Sequence, residues 1–172
     1  MKKQLKLIIA LIILCIIGFL GYNIYSKLNH KKEVAERIKT IPSFSFRTLT
    51  GTVFTDKDVD KTKPKLFVYF NSECEFCQAE ATAINKHLDT LKNVQLIFVS
   101  YEEPPKIKTF AKQYKLLNPT NIKFLEDKNF QFAPLFDAKG IPFMLLYGKD
   151  NKLIQKFRGV TKIDKIITLL IK

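Results

Sequence analysis

The sequence predicts a single α/β domain, a central mixed sheet flanked by helices, that follows one N-terminal transmembrane helix. Three observations support this fold class. The chain begins with a long apolar run. Two strand-like apolar runs are each followed by a helix-forming segment, which predicts right-handed parallel crossovers. A late pair of strand-like runs, separated by a polar turn, predicts an antiparallel hairpin.

Residues 1–25 are predicted to form a membrane anchor. Lysines in the first six residues precede an apolar stretch over residues 7–25, long enough to span a hydrocarbon core about 30 Å thick. A cleavable secretory signal has a similar layout, but no convincing small-x-small cleavage site follows, which favours an uncleaved anchor. Cys15 follows Leu14, where a lipid attachment site requires a small residue, so we interpret it as a membrane-embedded side chain.

Residues 26–40 are predicted to form a helical stalk that continues from the membrane. The stalk is expected to end at Ile41-Pro42, because proline disfavours a helical conformation for the residue before it. The globular domain then covers residues 41–172. Basic residues flank both ends of the apolar run, so the positive-inside rule leaves the side of the membrane open.

Within the domain, each patterned run predicts one element. Apolar positions on either side of Thr50-Gly51 predict a small hairpin over residues 44–54, an N-terminal extension of the sheet. The unbroken apolar run at 65–70 is typical of a strand covered on both faces. The remaining predictions are a helix over 75–91, a strand over 93–101, a helix over 104–116, a strand over 122–127, a short helix over 129–136, a hairpin over 140–160 and an amphipathic helix over 161–171.

The positive charge of the chain does not indicate nucleic-acid binding. The net charge is +13, from 29 Lys and Arg against 16 Asp and Glu, and the excess is spread along the chain. Only Arg37, Arg47 and Arg158 carry the forked guanidinium that phosphate and base recognition commonly uses. We interpret the lysine surplus as a solvated surface and expect no nucleic-acid partner.

Cys74 and Cys77 are the candidate catalytic residues. The 3 cysteines of the chain are too few for a disulfide scaffold, and this Cys-x-x-Cys pair follows a predicted strand and begins a predicted helix. The unpaired amides and positive pole at the start of a helix stabilise a thiolate, which makes Cys74 the expected nucleophile. Cys77, in the first turn, can attack a mixed disulfide on Cys74 and is the expected resolving residue.

Two other interpretations of the pair are weaker. A structural zinc site requires four ligands, and the domain offers no second cysteine pair and only the distant His30 and His87. Two inert buried thiols would suit a mid-helix position better than this polar surrounding. No metal and no other cofactor is therefore expected.

The segments VYFNSECEFCQAE and GIPFMLLYGKDNKLIQKFRG resemble the thioredoxin-like superfamily, closest to the membrane-anchored bacterial redoxin and cytochrome-maturation type of thiol-disulfide oxidoreductase. The resemblance covers residues 41–172. It implies that Pro142 is cis and faces the cysteine pair, and that the backbone of Ile141 contacts an extended substrate chain. It also implies that Glu80 influences cysteine acidity or partner recognition, whereas the residues alone allow a solvated helix position for Glu80.

This chain departs from thioredoxin itself around the cysteine pair. Val68 stands where thioredoxin has a buried acid, and Glu73 stands where it has tryptophan. Glu75 and Phe76 replace Gly-Pro between the cysteines. The charges of Glu73 and Glu75 oppose thiolate formation, so these two residues are expected to modulate the pair and to make it more reducing than a strong oxidase.

The sequence therefore predicts an enzyme, a membrane-tethered thiol-disulfide oxidoreductase that exchanges disulfides with protein partners and an unidentified redox partner. A monomer is expected, anchored through residues 7–25 in a bacterial inner membrane with its domain on the periplasmic side, since standing disulfide exchange suits an oxidising compartment. One alternative is a thiol peroxidase of the peroxiredoxin type, although Asn71 occupies that family's threonine position. Another is a redox-inactive or metal-delivering binding module, whose usual cysteine spacing is one residue longer.

Overall fold

The computed structural model describes residues 2–171, with side chains for residues 12–170, in two compact units that meet between Glu36 and Arg37. The first unit contains helix α1, Lys2–Arg37, as far as Glu36. Over the described residues, its 26-residue segment Ile12–Arg37 is long and apolar enough to cross a membrane, since it contains an 18-residue stretch with a mean hydropathy of 1.3. Side chains 7–11 of the predicted span lie outside the described residues.

The second unit contains a mixed sheet of seven strands within the described residues. The order across the sheet is β2-β1-β5-β4-β3-β6-β7. Strands β3, β4 and β5 are parallel to one another, and the other pairs are antiparallel. The strands are β1 Ser45–Thr48, β2 Val53–Thr55, β3 Lys65–Tyr69, β4 Gln95–Ser100, β5 Ile122–Glu126, β6 Phe143–Tyr147 and β7 Leu153–Arg158; the helices are α2 Glu75–Lys86, α3 Leu88–Leu91, α4 Pro104–Gln113, α5 Phe132–Phe136 and α6 Ile163–Ile171.

The central strands are buried on both faces, which is why they read as unbroken apolar runs in the sequence. Every residue of β3, β4 and β6 is buried. One face packs with α2, α4 and α6 around Val68, Phe98 and Met144. The other face carries an aromatic cluster in which the rings of Tyr69 and Phe132 stack with centroids 4.5 Å apart.

The predicted elements are confirmed in kind and order, with changes at their ends. The helix predicted over 75–91 is two helices, because the chain turns at His87 (φ −116°, ψ 19°). The His87 amide there bonds to the Ile84 carbonyl, and its ring Nδ1 lies 2.9 Å from the Ala83 carbonyl oxygen. Helix α1 ends before Ile41-Pro42, since Thr40 bridges to Lys152 beside the final hairpin.

The hairpin β1-β2 is also confirmed, and it joins the main sheet. Phe46 lies opposite Phe54 in the hairpin, and β1 pairs with the edge of β5. The parallel register of β3, β4 and β5 places their carboxyl ends at one edge of the sheet, together with the start of antiparallel β6. This edge carries the candidate site.

Candidate functional site

Cys74 lies at the start of α2, at the mouth of the turn that follows β3. It occupies the N-cap position and is partly exposed. Its Sγ accepts the backbone N–H of Cys77 at 3.3 Å, and its own N–H donates to the Asn71 carbonyl at 3.3 Å. An N–H donor at a helix N-terminus binds an anionic sulfur more strongly than a neutral one. The local geometry therefore places the Cys74 sulfur at the N-terminus of α2.

Cys77 lies in the first turn of α2 and is only 2% exposed. Burial raises the pKa of its thiol, and the neighbouring charges of Cys74 and Glu80 raise it further. Both cysteines are free thiols. The pair is thus asymmetric, with an accessible sulfur at the cap and a protected sulfur within one turn of it.

Glu80 is buried in α2, with 1% of its surface exposed, so it is not a solvated helix residue. Its Oε2 accepts the backbone N–H of Thr161 at 2.9 Å, while Oε1 has no hydrogen-bond partner among the described residues. Burial raises the pKa of Glu80 to about 7, against the opposing effect of the Thr161 hydrogen bond. Glu80 follows Cys77 by three residues and shares its helix face.

The loop before β6 contributes Ile141 and Pro142. The Ile141-Pro142 peptide bond is cis. Ile141 and Cys74 both pack against the hydrophobic cluster that contains Cys77. The Pro142 carbonyl accepts the Gly159 N–H at 2.9 Å, which ties this loop to the end of β7, two residues before the Thr161 amide that binds Glu80.

The two exposed glutamates of the motif have different surroundings. Glu73 forms an ion pair with Lys106 of α4 at 2.9 Å, with both side chains largely solvent-accessible. Glu75 is the first residue of α2, where a negative charge is favourable to the helix. The sequence placed both charges beside Cys74 but did not reveal the lysine that offsets one of them.

Sequence reasoning also missed Glu102 and Ser72. Glu102 follows β4, is 8% exposed, and accepts two hydrogen bonds from Ser72, two residues before Cys74. A signal was present, because polar residues directly after neighbouring parallel strands meet at one edge of the sheet. Among the described side chains, no group of three His, Cys, Asp or Glu could hold a metal ion.

The profile of the AhpC/TSA family matches residues 38–166. The chain belongs to this family. The thiol-disulfide oxidoreductase ResA of Bacillus thuringiensis subsp. konkukian is 29% identical over 162 residues, which cover 92% of this chain and 91% of that protein. The thioredoxin-like protein YneN of Bacillus subtilis is 28% identical over 147 residues, covering 79% of this chain and 86% of that protein.

Solved structures confirm the thioredoxin-like fold. A secreted Mycobacterium tuberculosis disulfide oxidoreductase homologous to E. coli DsbE matches with a TM-score of 0.63 at 19% identity, covering 78% of this chain and 96% of that one. The peroxidoxin BcpB of the same organism matches with a TM-score of 0.64 at 15% identity, covering 76% of this chain and 92% of that one. The fold alone therefore does not separate disulfide exchange from peroxide reduction.

Proposed function

We propose that this AhpC/TSA family member is a membrane-tethered thiol-disulfide oxidoreductase that exchanges disulfides with proteins through Cys74 and Cys77. The observation that carries the proposal is the asymmetry of the pair. Cys74 is accessible and its sulfur accepts a helix N-terminal N–H, whereas Cys77 is buried one turn away. The names of the ResA and YneN relatives support the same activity.

In the reducing direction, the Cys74 thiolate attacks one sulfur of a substrate disulfide. A Cys74–substrate bond forms, the substrate S–S bond breaks, and the first substrate sulfur leaves as a thiolate that takes a proton from water. Cys77 then loses its proton and attacks the Cys74 sulfur. The Cys74–Cys77 bond forms, the second substrate thiolate leaves, and two electrons have passed from the dithiol to the substrate. A separate dithiol reductant must return the pair to its reduced form.

Glu80 is the proposed proton acceptor for Cys77. Because burial raises the pKa of the Cys77 thiol, the second step requires a base within the protein. Glu80 shares the helix face of Cys77, its pKa is raised to about 7, and its Oε1 makes no hydrogen bond within the described part of the chain. A carboxyl group with this pKa can accept the proton near neutral pH and release it afterwards.

Ile141 and Pro142 are the proposed contacts for the substrate backbone. Ile141 and Cys74 pack against the same hydrophobic cluster. Pro142 has no backbone N–H, so it does not compete with the substrate for hydrogen bonds at this loop. The partner is therefore expected to present its reacting cysteine in an extended segment. We propose that Glu73 and Glu75 modulate the charge at Cys74 and that the protein acts as a monomer without nucleic acid or cofactor.

The domain is proposed to lie outside the cytoplasm of a bacterium, on the periplasmic side of the inner membrane. Helix α1 supplies a candidate membrane span, and the relatives that match are bacterial proteins. We propose residues 1–25 as the anchor, 26–40 as the stalk and 41–172 as the redox domain. Disulfide exchange as a standing function suits a compartment in which disulfides persist.

A thiol peroxidase is the second candidate, because the chain belongs to the AhpC/TSA family and shares its fold with a peroxidoxin. The site supports it less well. Asn71 occupies the threonine position and its side chain binds the Tyr101 hydroxyl and the Glu73 N–H. A peroxidase also needs an arginine that activates its cysteine. Arg37 instead binds the Pro134 and Leu135 carbonyls, Arg158 pairs with Asp137 at 3.8 Å, and Arg47 lies in β1.

The test uses the full chain in detergent, equilibrated with mixtures of reduced and oxidised glutathione. We expect one reversible two-electron transition of Cys74 and Cys77, and reduction of insulin disulfides by the reduced protein. Cys77→Ser should trap a mixed disulfide on Cys74, whereas Cys74→Ser should trap none. Cys15→Ser is the control and should behave as the wild type. Peroxide turnover without disulfide exchange would instead support the peroxidase.

A further inference from the structure

We propose that Glu102 is a positioning residue that fixes the active-site loop, residues 70–74, so that the Cys74 sulfur meets the N-terminus of α2. The inference rests on the proposed function, because it assigns the support of the proposed nucleophile. Glu102 lies outside the Cys-x-x-Cys segment and is 28 positions after Cys74 in the sequence. It reaches the loop because β3 and β4 are parallel neighbours, with Tyr69 in register with Val99.

The carboxylate of Glu102 binds both donors of Ser72. The Ser72 backbone N–H donates to Oε2 at 2.6 Å, and the Ser72 hydroxyl donates to Oε1 at 2.6 Å. Ser100 at the end of β4 adds a third bond from its hydroxyl to Oε2 at 3.1 Å. Both carboxylate oxygens are therefore used in a side chain that is only 8% exposed. Charge-assisted bonds of this kind are shorter and stronger than neutral ones.

The remaining polar group of Ser72 is held from the other side. Its carbonyl accepts the side-chain Nε2 of Gln78, in the second turn of α2, at 2.9 Å. Ser72 thus bridges Glu102 on the β4 side to the helix that carries both cysteines. A shift of Ser72 would break contacts to the strand edge and to α2 together, so the loop has one favoured position relative to the helix.

The residues on either side of Ser72 carry this constraint to Cys74. The Asn71 carbonyl accepts the Cys74 N–H at 3.3 Å, and its Oδ1 accepts the Glu73 N–H at 2.8 Å. Asn71 also donates from Nδ2 to the Tyr101 hydroxyl at 3.0 Å, next to Glu102 in the chain. The segment directly after β4 therefore holds the loop at two adjacent residues, Asn71 and Ser72, and Cys74 follows two residues later.

Loss of the Glu102 carboxylate leaves the Ser72 amide without its acceptor at a site with little access to water. The loop must then move to satisfy this donor, and Cys74 moves with it. The Sγ contact with the Cys77 N–H, 3.3 Å in the wild type, depends on the position of Cys74 at the cap. A displacement of this sulfur away from the helix N-terminal N–H weakens the stabilisation of its thiolate and so lowers its reactivity as a nucleophile.

The experiment measures the rate of Cys74 alkylation by iodoacetamide in the reduced full chain in detergent, from pH 5 to 9, by peptide mass spectrometry. Glu102→Ala should slow alkylation at neutral pH by about tenfold or more and shift its pH profile, because the Cys74 thiolate loses stabilisation at the start of α2. Glu102→Gln keeps the shape and one acceptor for the Ser72 N–H, and should alkylate at the wild-type rate or at most about threefold more slowly. Ser72→Ala removes only the hydroxyl bond and should lie between them.

Glu103→Ala is the matched control. It removes the same charge from the neighbouring exposed residue, whose side chain makes no capping bond to α4. It should alkylate at the wild-type rate. A wild-type alkylation rate in Glu102→Ala would overturn the positioning role. Faster alkylation in Glu102→Gln would also overturn it, because it would show that repulsion between the Glu102 carboxylate and the Cys74 thiolate dominates. Should Glu102→Ala fail to fold, an unchanged rate in Ser72→Ala would overturn it.

The same samples separate this inference from the proposed function. The glutathione equilibrium of the wild type is measured in parallel. If the wild type forms no reversible Cys74–Cys77 disulfide, the proposed function is ruled out. If the wild type forms this disulfide but Glu102→Ala keeps the wild-type reduction potential and alkylation rate, only the role of Glu102 is ruled out.

Discussion

Two buried glutamates flank the cysteine pair, and their surroundings differ. Glu102, 8% exposed, accepts three hydrogen bonds from Ser72 and Ser100. Glu80, 1% exposed, accepts one from the Thr161 amide, and its Oε1 is unpartnered within the described residues. A carboxylate with several fixed donors holds a backbone in place. A buried carboxyl with a spare oxygen and a pKa of about 7 is suited to proton transfer.

The largest expected effect concerns the proton-transfer side of this comparison. Glu80→Gln removes the base while it keeps the size of the side chain. We expect the attack of Cys77 on a Cys74 mixed disulfide to slow on the order of a hundredfold at neutral pH. In the wild type this rate should rise as the pH passes about 7, where Glu80 loses its proton, and Glu80→Gln should lack that rise.

Stopped-flow absorbance with an aromatic disulfide that releases a coloured thiolate measures both steps. The first phase reports attack by Cys74 and the second reports attack by Cys77. The first phase should be little changed in Glu80→Gln and should be slowed in Glu102→Ala, so the two glutamates affect different phases. Equal slowing of both phases in Glu80→Gln would contradict the division between them.

A smaller effect is expected on the stability of the folded protein. The pKa of Glu80 is raised on folding, from 4.5 to about 7, so the folded state binds a proton that the unfolded state releases. Its contribution to stability is full below pH 4.5 and is lost as the pH rises through 7. Between pH 5 and 8 this group should lower the free energy of unfolding by about 2 kcal/mol.

Denaturant unfolding at several pH values tests this sign. In Glu80→Gln the decline between pH 5 and 8 should be absent or much reduced, whatever the absolute cost of the substitution. Glu103→Gln, at an exposed position, serves as the control and should keep the wild-type slope. If the wild type and Glu80→Gln showed the same pH dependence of the free energy of unfolding, Glu80 would not contribute to stability in the expected way.

The smallest effect is expected from the exposed glutamates. Glu73 is paired with Lys106 at 2.9 Å, whereas Glu75 is the first residue of α2. Removing either charge should raise the alkylation rate of Cys74, with Glu75→Gln giving the larger increase, by less than about threefold because exposed charges are screened. Added salt should reduce the difference, and a larger increase in Glu73→Gln would show that Lys106 does not offset its partner.

The sheet and the cysteine pair were predictable because their signals are local. The runs at 66–70 and 96–99 are apolar because β3 and β4 are covered on both faces, and the turn at Thr50-Gly51 specifies the β1-β2 hairpin. The break at His87 was not predictable in this way. The residues around it favour a helix, and α2 ends where the His87 amide bonds to the Ile84 carbonyl and the His87 ring contacts the Ala83 carbonyl.

The sequence by itself determined the order of strands and helices, the candidate membrane span and the placement of two cysteines one helical turn apart, since each depends on neighbours within a few residues. Only the tertiary structure decided which carboxylates are buried. The Thr161 amide meets Glu80 from 81 residues away, and Ser72 meets Glu102 across 30 residues. Burial and hydrogen bonding depend on segments that are distant in the chain, so identical glutamate side chains acquire different chemistry.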